Sequence, residues 1–338
     1  MRNLRGYIWR DIMAFDIAID FGETTVTIAA RGWKDSVITP CAVACKNGKV
    51  LAMGEDAQTL LGRTPRDIAV EYPLQGGRLR HENWLKEWVR HLISQCAPNA
   101  RVKKASLLFT MSPAGDEGLA RALKDAAMAC DIQDVWQVDR TVAACAAQNM
   151  DMNDTTASLC AVLEEGYIDT ATLCMGRVLR RFCISGGLRE VDAAISERIR
   201  RQYSMAVGPV TAAEIRNQLG AARAIDGVKA PALGLDLRSG FPVMKEIESS
   251  LGEEASRKIC DTLCECVQRM AAQASEEEAA DLNRHPVLLL GPGASFTGLE
   301  SYLTEKTGLS CRLASNQAEN GLKRFLAEDE LKKICRKM

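Results

Sequence analysis

AFDIAIDFGETTVTIAAR, residues 14–31, alternates apolar and small polar residues around a central Asp-x-Gly. Alternation with a period of two is typical of β-strands, and an Asp-x-Gly between two such runs marks a reversal of the chain. The stretch therefore predicts two strands joined by a tight turn, with Asp20 at the bend.

A second hairpin of the same kind begins after the polar stretch 151–156. It is SLCAVLEEGYIDTATLCMGRVLRRFCIS, residues 158–185, with its tight turn at 163–168. Each hairpin leads a β-rich unit that is followed by helices, which is the pattern that an internal duplication produces. The sequence therefore predicts two similar domains with a cleft between them.

Strand and helix patterns alternate along the rest of the chain, which indicates an α/β layer structure. Further strands are predicted at 36–44, 49–53, 105–110, 135–138, 228–243 and 286–290. Helices are predicted at 54–62, 83–94, 117–130, 141–149, 189–203, 212–224, 251–274 and 296–307. Trp84 and Trp88 lie on one helical face and are interpreted as core residues, whereas His81 is interpreted as a surface residue.

Composition excludes several classes of function. The chain has 338 residues, of which 47% are apolar, enough for two domains with large cores. The 43 Lys and Arg nearly balance the 44 Asp and Glu, so no net field favours nucleic acid, which we exclude as a partner. Three histidines, with no Ser-His-Asp or Cys-His arrangement, argue against hydrolase and oxidoreductase activity.

The 13 cysteines are scattered through apolar stretches, which predicts buried thiols in a reducing compartment, the cytoplasm. Cys260, Cys264 and Cys266 lie on a helical pattern without a paired CxxC or a nearby His. A structural zinc site needs four convergent ligands, so core packing is the preferred interpretation of this group.

The two ends of the chain carry charge and apolar residues in mixed patterns. Residues 1–13 place Leu4, Tyr7, Ile8 and Ile12 near one helical face, with arginines on the remainder. This segment is predicted either as an amphipathic anchor on the inner membrane surface or as a tail, and Met13 is an alternative start. The basic segment 326–338 is interpreted as an exposed tail.

Six segments resemble the MreB-type bacterial actins in order and spacing, over about residues 14–325. They are IAIDFGETT (17–25), GEDAQTLLGRTP (54–65), YPLQGGRL (72–79), Gly186-Gly187, TAAEIRNQLGAARA (211–224) and LLLGPGASFTGLESYLTEKTG (288–308). The second of these is specific to MreB, whereas Asp-x-Gly hairpins recur across the superfamily of actin, Hsp70 and sugar kinases.

The resemblance implies an actin-like (ribonuclease H-like) α/β fold of two duplicated lobes, residues 14–150 and 151–325, with mixed sheets flanked by helices. It implies a cleft between the lobes that binds ATP or GTP with magnesium. It also implies a cytoplasmic filament formed by copies of this chain under the inner membrane, where it organises wall synthesis and cell shape. An intact MreB and wall-synthesis proteins are the further partners that it implies.

The resemblance assigns roles to individual residues. Asp20 would hold magnesium through water, although an aspartate at a turn also commonly caps local backbone. Arg216 falls on a basic position that contacts ribose or base, with Ala213 where the family has an acid and Glu214 beside it. The glycines and small residues that match nucleotide-binding turns are Gly22, Thr24, Thr25, Gly166, Gly186, Gly187, Gly291, Gly293 and Ala294.

The second phosphate turn departs from the family pattern. The family's Asp-Ile-Gly-Gly-Gly-Thr-Thr falls on Val162-Leu-Glu-Glu-Gly166-Tyr-Ile168, so Val162 replaces the aspartate and only Gly166 remains of three glycines. Glu164 and Glu165 lack the conformational freedom of glycine and add negative charge. We expect a degraded pocket for the γ-phosphate.

Two more departures concern charge. Arg140 replaces the acid that positions the attacking water, and an arginine cannot act as a general base at neutral pH. We expect it to pair with a phosphate or with Glu164 or Glu165. Glu23 stands where the family has a small hydroxyl residue, and its charge would repel a phosphate. We therefore expect at most a weak ATPase.

Three functions follow as alternatives. The first is a filament subunit of the MreB type that binds nucleotide with slow or lost hydrolysis. The second is a scaffold that needs no nucleotide and regulates an intact MreB. The third is a small-molecule kinase, which the missing carboxylate at Val162 argues against, because phosphoryl transfer needs charge neutralisation and an oriented nucleophile.

Overall fold

The computed structural model describes residues 15–96, 105–223, 225–314 and 317–338. The predicted anchor or tail at 1–13 lies outside these residues. Within them, no helix combines the length and apolar character that a membrane span requires.

The described chain forms two compact units. Unit 1 takes the described residues up to Asp154, Met175–Arg177 and those from 317 onward, and unit 2 takes Thr155–Cys174 and Val178–Ala314. The lobes at 14–150 and 151–325 stay a prediction.

Strands and helices alternate as the sequence predicts. The strands are β1 (Ile17–Phe21), β2 (Thr25–Ala30), β3 (Val37–Pro40), β4 (Val43–Lys46), β5 (Lys49–Met53), β6 (Ile68–Glu71), β7 (Leu74–Gln75), β8 (Arg78–Leu79), β9 (Ser106–Met111), β10 (Asp134–Asp139), β11 (Ser158–Leu163), β12 (Tyr167–Cys174), β13 (Arg177–Ser185), β14 (Met205–Ala206), β15 (Lys229–Asp236), β16 (Pro242–Glu248), β17 (Val287–Leu290), β18 (Cys311–Leu313) and β19 (Arg336–Lys337). The α-helices are α1 (Glu55–Thr59), α2 (Glu82–Cys96), α3 (Glu117–Met128), α4 (Arg140–Ala146), α5 (Leu188–Tyr203), α6 (Pro209–Leu219), α7 (Ser249–Ala271), α8 (Glu276–Arg284), α9 (Leu299–Thr307) and α10 (Gln317–Ala327). Short 3₁₀ helices cover Pro292–Ser295 and Asp329–Ile334.

Unit 1 is built on a six-stranded mixed sheet in the order β19-β10-β9-β1-β2-β3. The predicted hairpin is confirmed as β1 and β2, which pair antiparallel, and β1 also pairs with β9 in parallel. This register places Asp20 beside Thr27 on one side and Thr110 on the other. Asp20 therefore lies near the end of a central strand, where the chain turns.

A helical layer covers this sheet. Helices α2 and α3 pack against each other, and α10 packs on β1, β2 and α4. Trp88 is fully buried and Trp84 nearly so, which confirms their prediction as core residues. His81 is half-buried and not a plain surface residue, since its ring stacks on Trp84 and its Nε2 lies 2.9 Å from Glu71 Oε2.

The strand predicted at 36–44 is two strands in two sheets. β3 ends at Pro40, and β4 joins a three-stranded sheet with β5 and β6. The N–H of Cys41 still donates to the carbonyl of Thr24, 2.8 Å away, and the chain then enters β4. Proline has no N–H for a strand ladder, which favours a break here.

The predicted helix 212–224 ends earlier, with α6 closing at Leu219. A Cβ on Gly220 would lie 2.5 Å from the carbonyl oxygen of Arg216, so this glycine allows the chain to leave the helix tightly.

The segment 326–338 is not a solvated tail. β19 pairs with β10, with Lys337 opposite Trp136, and the N–H of Met338 donates to the carbonyl of Val135 over 2.9 Å. The ammonium of Lys332 lies 4.8 Å from the Trp136 ring, a cation–π contact. The basic segment is therefore held by pairing with the edge of β10 and by the contact of Lys332 with the Trp136 ring.

Unit 2 repeats the central arrangement of unit 1. Its five-stranded sheet has the order β13-β12-β11-β17-β18, so β11 pairs antiparallel with its hairpin partner β12 and parallel with β17. Buried residues of α5, α6 and α7 form its core. A second sheet, β14-β15-β16, extends the unit.

The cysteines of α7 are part of this core. Cys260, Cys264 and Cys266 are buried free thiols, and the described residues contain no group of His, Cys, Asp or Glu arranged to hold a metal ion. Burial raises the pKa of Cys260 to about 12 and the pKa of Cys264 and of Cys266 to about 11.

These three thiols should resist alkylation in the folded protein. The thiolate is the reactive form, so we expect alkylation at pH 8 to be roughly 100-fold slower or more in the native state than in denaturant. Peptide mapping by mass spectrometry after timed iodoacetamide labelling measures each site, with the half-buried Cys174 as internal control. Equal labelling of the α7 peptides and the Cys174 peptide in the native state would contradict the prediction.

Candidate functional site

The first turn connects β1 and β2 in unit 1. The N–H of Gly22 donates to the carbonyl of Thr25 over 2.8 Å, which closes the turn, and a Cβ on Gly22 would lie 2.8 Å from that same oxygen. Only glycine fits this position without a shift of the backbone. Thr24 is half-buried and Thr25 is exposed. The first turn therefore keeps the tight geometry that the sequence predicts.

Arg140 forms an ion pair with Asp20. Its Nε lies 3.0 Å from Asp20 Oδ1 and its Nη2 lies 3.0 Å from Oδ2, an arrangement in which both carboxylate oxygens face the guanidinium. The hydroxyl of Thr110 also donates to Asp20 Oδ1. The Asp20 side chain is 4% exposed and that of Arg140 is 17% exposed, so the pair is shielded from water. The predicted pairing of Arg140 with Glu164 or Glu165, in unit 2, stays a prediction.

Local structure fixes Arg140 in this position. It is the first residue of α4, and the carboxylate of Asp139 caps the helix by accepting from the N–H groups of Thr141 and Val142, at 2.9 Å and 3.3 Å. Capping of this kind holds the first helical turn and therefore the origin of the Arg140 side chain.

The contacts of Asp20 do not fit a magnesium ion held through water. The guanidinium cancels the charge that would attract a dication, and Oδ1 already accepts two donors. Val162, which the resemblance aligns with a second carboxylate, is buried on β11. Asp169, its cross-strand neighbour, has its Oδ1 3.0 Å from Arg181 Nε. An arginine thus lies beside each of these two aspartates.

Glu23 is buried, with 2% of its surface exposed, and its Oε1 accepts from the N–H of Gly77 over 2.7 Å. Gly77 has a φ of +71°, and a Cβ there would lie 2.2 Å from Ser112 Oγ. The Gly-Gly of YPLQGGRL therefore serves to bring a backbone donor to Glu23. The sequence analysis missed this role, for which a glutamate in a buried turn was the only signal.

The second turn, between β11 and β12 in unit 2, uses its carbonyls to hold α5. The N–H groups of Leu188 and Arg189 donate to the carbonyls of Glu164 and Glu165, both over 3.0 Å. Gly187 precedes α5, and a Cβ on it would lie 2.2 Å from the Glu164 carbonyl oxygen. The first donors of this helix are thus satisfied by the turn itself.

Two other predicted glycines join the same turn. The N–H of Gly186 donates to the carbonyl of Gly166 over 3.1 Å, and Gly186 has a φ of +106°, a conformation that favours glycine.

Arg216 pairs with two carboxylates of unit 2. Its Nη1 and Nη2 lie 2.9 Å and 3.2 Å from the two oxygens of Glu165, and its Nε lies 3.3 Å from Asp192 Oδ1. Arg216 is 5% exposed and Glu165 is 7% exposed. We call Arg216, Glu165 and Asp192 the unit 2 ion triad. Sequence analysis assigned Arg216 to a nucleoside and missed both partners, although a buried charge always calls for one.

The triad shifts the titration of Asp192. Burial is the main cause that raises its pKa to about 6, Arg216 opposes this shift, and the charge of Glu165 adds to it. Glu165 takes the two-point contact with Arg216, so the single guanidinium does not fully compensate both acids.

We expect Asp192 to make stability depend on pH. Its folded pKa lies above the ordinary value, so the stability it contributes is fully present below about pH 4 and is lost as the pH rises through 6. The wild type should therefore lose stability relative to Asp192→Asn between these two pH values. Urea unfolding of both proteins across this range tests it, and a difference that does not change with pH would contradict it.

The turn after β17 lies under the end of β11. Gly291 has a φ of +86°, and a Cβ there would lie 2.5 Å from the Leu163 carbonyl oxygen, while a Cβ on Gly293 would lie 2.4 Å from Leu163 Cγ. Pro292 begins the 3₁₀ helix, where a missing N–H costs no helical hydrogen bond, so it replaces a glycine without conflict. Ala294 is buried.

Comparison with known proteins places this geometry in a family. The family model described as MreB/Mbl protein matches residues 14–332. The "Cell shape-determining protein MreB" of Escherichia coli (strain K12) is 25% identical over 316 residues, which cover 91% of this chain and 91% of that protein.

Solved structures share the fold. MreB5 of Spiroplasma citri bound to AMPPNP superposes with a TM-score of 0.86 at 21% identity, covering 94% of this chain and 96% of that one. A chain of the MamK double helical filament gives a TM-score of 0.76 at 13% identity, covering 92% and 97%. The predicted actin-like fold is confirmed, and this chain belongs to the MreB/Mbl family of cell shape-determining, filament-forming bacterial actins.

Proposed function

We propose that this chain is a filament subunit that binds ATP or GTP and hydrolyses it slowly or not at all. The observation that carries the proposal is the ion pair between Arg140 and the buried Asp20 at an intact first turn. It leaves the glycine-based turn in place while a guanidinium occupies the position of the family's water-positioning acid.

Nucleotide binding is supported by the turns that keep their geometry. Gly22 and Gly291 occupy positions where a side chain would collide with nearby carbonyl oxygens, so both turns keep the compact form that the resemblance assigns to nucleotide-binding turns. MreB5 of Spiroplasma citri, which has the same fold, has a crystal structure with AMPPNP bound. Arg216 retains the basic position, although a nucleoside would have to share it with Glu165.

Loss of hydrolysis follows from the groups that remain. A guanidinium keeps its proton at neutral pH and cannot accept one from water. Val162 offers no carboxylate, and Asp20 is engaged by Arg140 and Thr110. The two acids of the first turn are thus already engaged, Asp20 by Arg140 and Glu23 by the N–H of Gly77.

Self-association is the second part of the proposal. Its support is the family itself and the MamK structure, which is of a double helical filament. We propose that the filament lies in the cytoplasm on the inner face of the membrane, with residues 1–13 as its contact, and that an intact MreB and wall-synthesis proteins are its partners.

Calorimetry and sedimentation of the full chain with ATP, GTP, ADP, AMPPNP or no nucleotide test this function. We expect ATP and AMPPNP to bind alike and to increase pelleting equally, with phosphate release at background. Rapid phosphate release would overturn the claim on hydrolysis. Filaments without detectable binding would identify a scaffold that needs no nucleotide, and binding without filaments would favour a kinase.

A further inference from the structure

A guanidinium of the protein itself lies against the first turn. Arg140 Nη2 lies 3.1 Å from the position that a Cβ on Gly22 would take, so the guanidinium lies directly against the backbone of the turn. Its other contacts, with both oxygens of Asp20, hold it there. A phosphate at this turn would therefore meet the guanidinium of Arg140.

The same guanidinium makes binding of a metal ion at the first turn unfavourable. A dication would be attracted by the charge of Asp20, which Arg140 cancels at 3.0 Å, and it would be repelled by the guanidinium itself. Arginine is suited to this place, because it stays charged at every physiological pH and recognises phosphate oxygens through planar N–H groups.

We propose that the guanidinium of Arg140 takes the place of the divalent cation at the first turn, so that nucleotide binding to this chain does not depend on magnesium. The proposal rests on the proposed function, since it needs a bound nucleotide. It concerns the affinity for ADP and ATP and is independent of hydrolysis and of filament formation.

The first test is ADP and ATP binding to the nucleotide-free full chain, by calorimetry, in magnesium and in EDTA. We expect the dissociation constant to differ by less than about threefold between the two buffers. A loss of more than about tenfold in EDTA would overturn the inference while leaving the proposed function intact. Absence of binding in both buffers would instead overturn the proposed function, and this inference with it.

The second test converts the site. Arg140→Ala leaves the Asp20 carboxylate without its cation, so we expect affinity in EDTA to fall by about 10–100-fold and magnesium to restore most of it. Arg140→Lys keeps a positive charge and should stay independent of magnesium. If Arg140→Ala binds nucleotide equally well in magnesium and in EDTA, Arg140 does not replace the divalent cation and the inference is wrong.

Arg324→Ala is the matched control. The Arg324 side chain is also 17% exposed, also lies in unit 1 and pairs with Glu328, but its other contacts are the carbonyls of Ala146 and Met150. Its loss should change stability without making nucleotide binding depend on magnesium. Unfolding curves of all three variants confirm that binding is compared between folded proteins.

Discussion

Replacing Arg216 by methionine should lower the free energy of unfolding by about 3–5 kcal/mol, because it leaves buried acids without a counter-charge. Glu165 is 7% exposed and takes two hydrogen bonds from this guanidinium, and Asp192 lies 3.3 Å from its Nε. Two carboxylates would then share a site in which burial already raises the pKa of Asp192 to about 6. Urea denaturation followed by circular dichroism measures the loss.

The double variant Arg216→Met, Glu165→Met shows whether the loss comes from the unpaired charge. Buried ion pairs can often be exchanged for apolar residues of similar volume at little cost, so we expect the double variant to regain most of the stability. Arg198→Met is the control, since Arg198 and Glu254 form an exposed pair in unit 2 that should contribute at most about 1 kcal/mol. Similar losses in Arg216→Met and Arg198→Met would show that the triad is not the structural element we describe.

The triad also bears on function. A nucleoside that used Arg216 would have to compete with Glu165, which holds it at two points. Two of the charged departures from the family pattern thus have a partner of opposite charge in the fold: Glu165 has Arg216, and Arg140 has Asp20. The altered turns are therefore specific structures, with charges that are compensated, and do not resemble sites that have decayed at random.

The hairpins and helices could be predicted because their signals are local. The alternation in 14–31 and in 158–185 predicts strands, which the structure confirms, and helical spacing places Trp88 in the core. The turn glycines could be identified as well, since tight turns require them wherever they occur.

The charge pairs could not be predicted, because they join distant parts of the chain. Arg140 and Asp20 are 120 residues apart, and Arg216 and Glu165 are 51 apart. A buried charge requires a partner, but the sequence does not say which of many acids is brought near. For the same reason the strand at the C-terminal end was missed, since its two basic residues form a strand only where β10 offers an edge.

Replacing Gly187 by alanine should destabilise the protein by about 3 kcal/mol, the upper part of the range for overpacking. The φ of Gly187 is −175°, an extended conformation that any residue adopts, so the backbone itself does not require glycine. The cost is steric, since the new Cβ would lie 2.2 Å from the Glu164 carbonyl oxygen and 2.9 Å from that of Glu165. Both oxygens accept hydrogen bonds from the start of α5, so neither can move away from the new Cβ without breaking its hydrogen bond.

Gly208→Ala separates this steric effect from a general preference for glycine before a helix. Gly208 precedes α6 as Gly187 precedes α5, its φ is −79°, and a Cβ there would meet nothing within 4 Å. The small loss of capping and the small gain in chain entropy should cancel to within about 0.5 kcal/mol. If the two substitutions lower the free energy of unfolding equally, the close approach of the second turn to α5 does not contribute to stability. If only Gly187→Ala lowers stability, the second turn is a structural connection between β11 and α5.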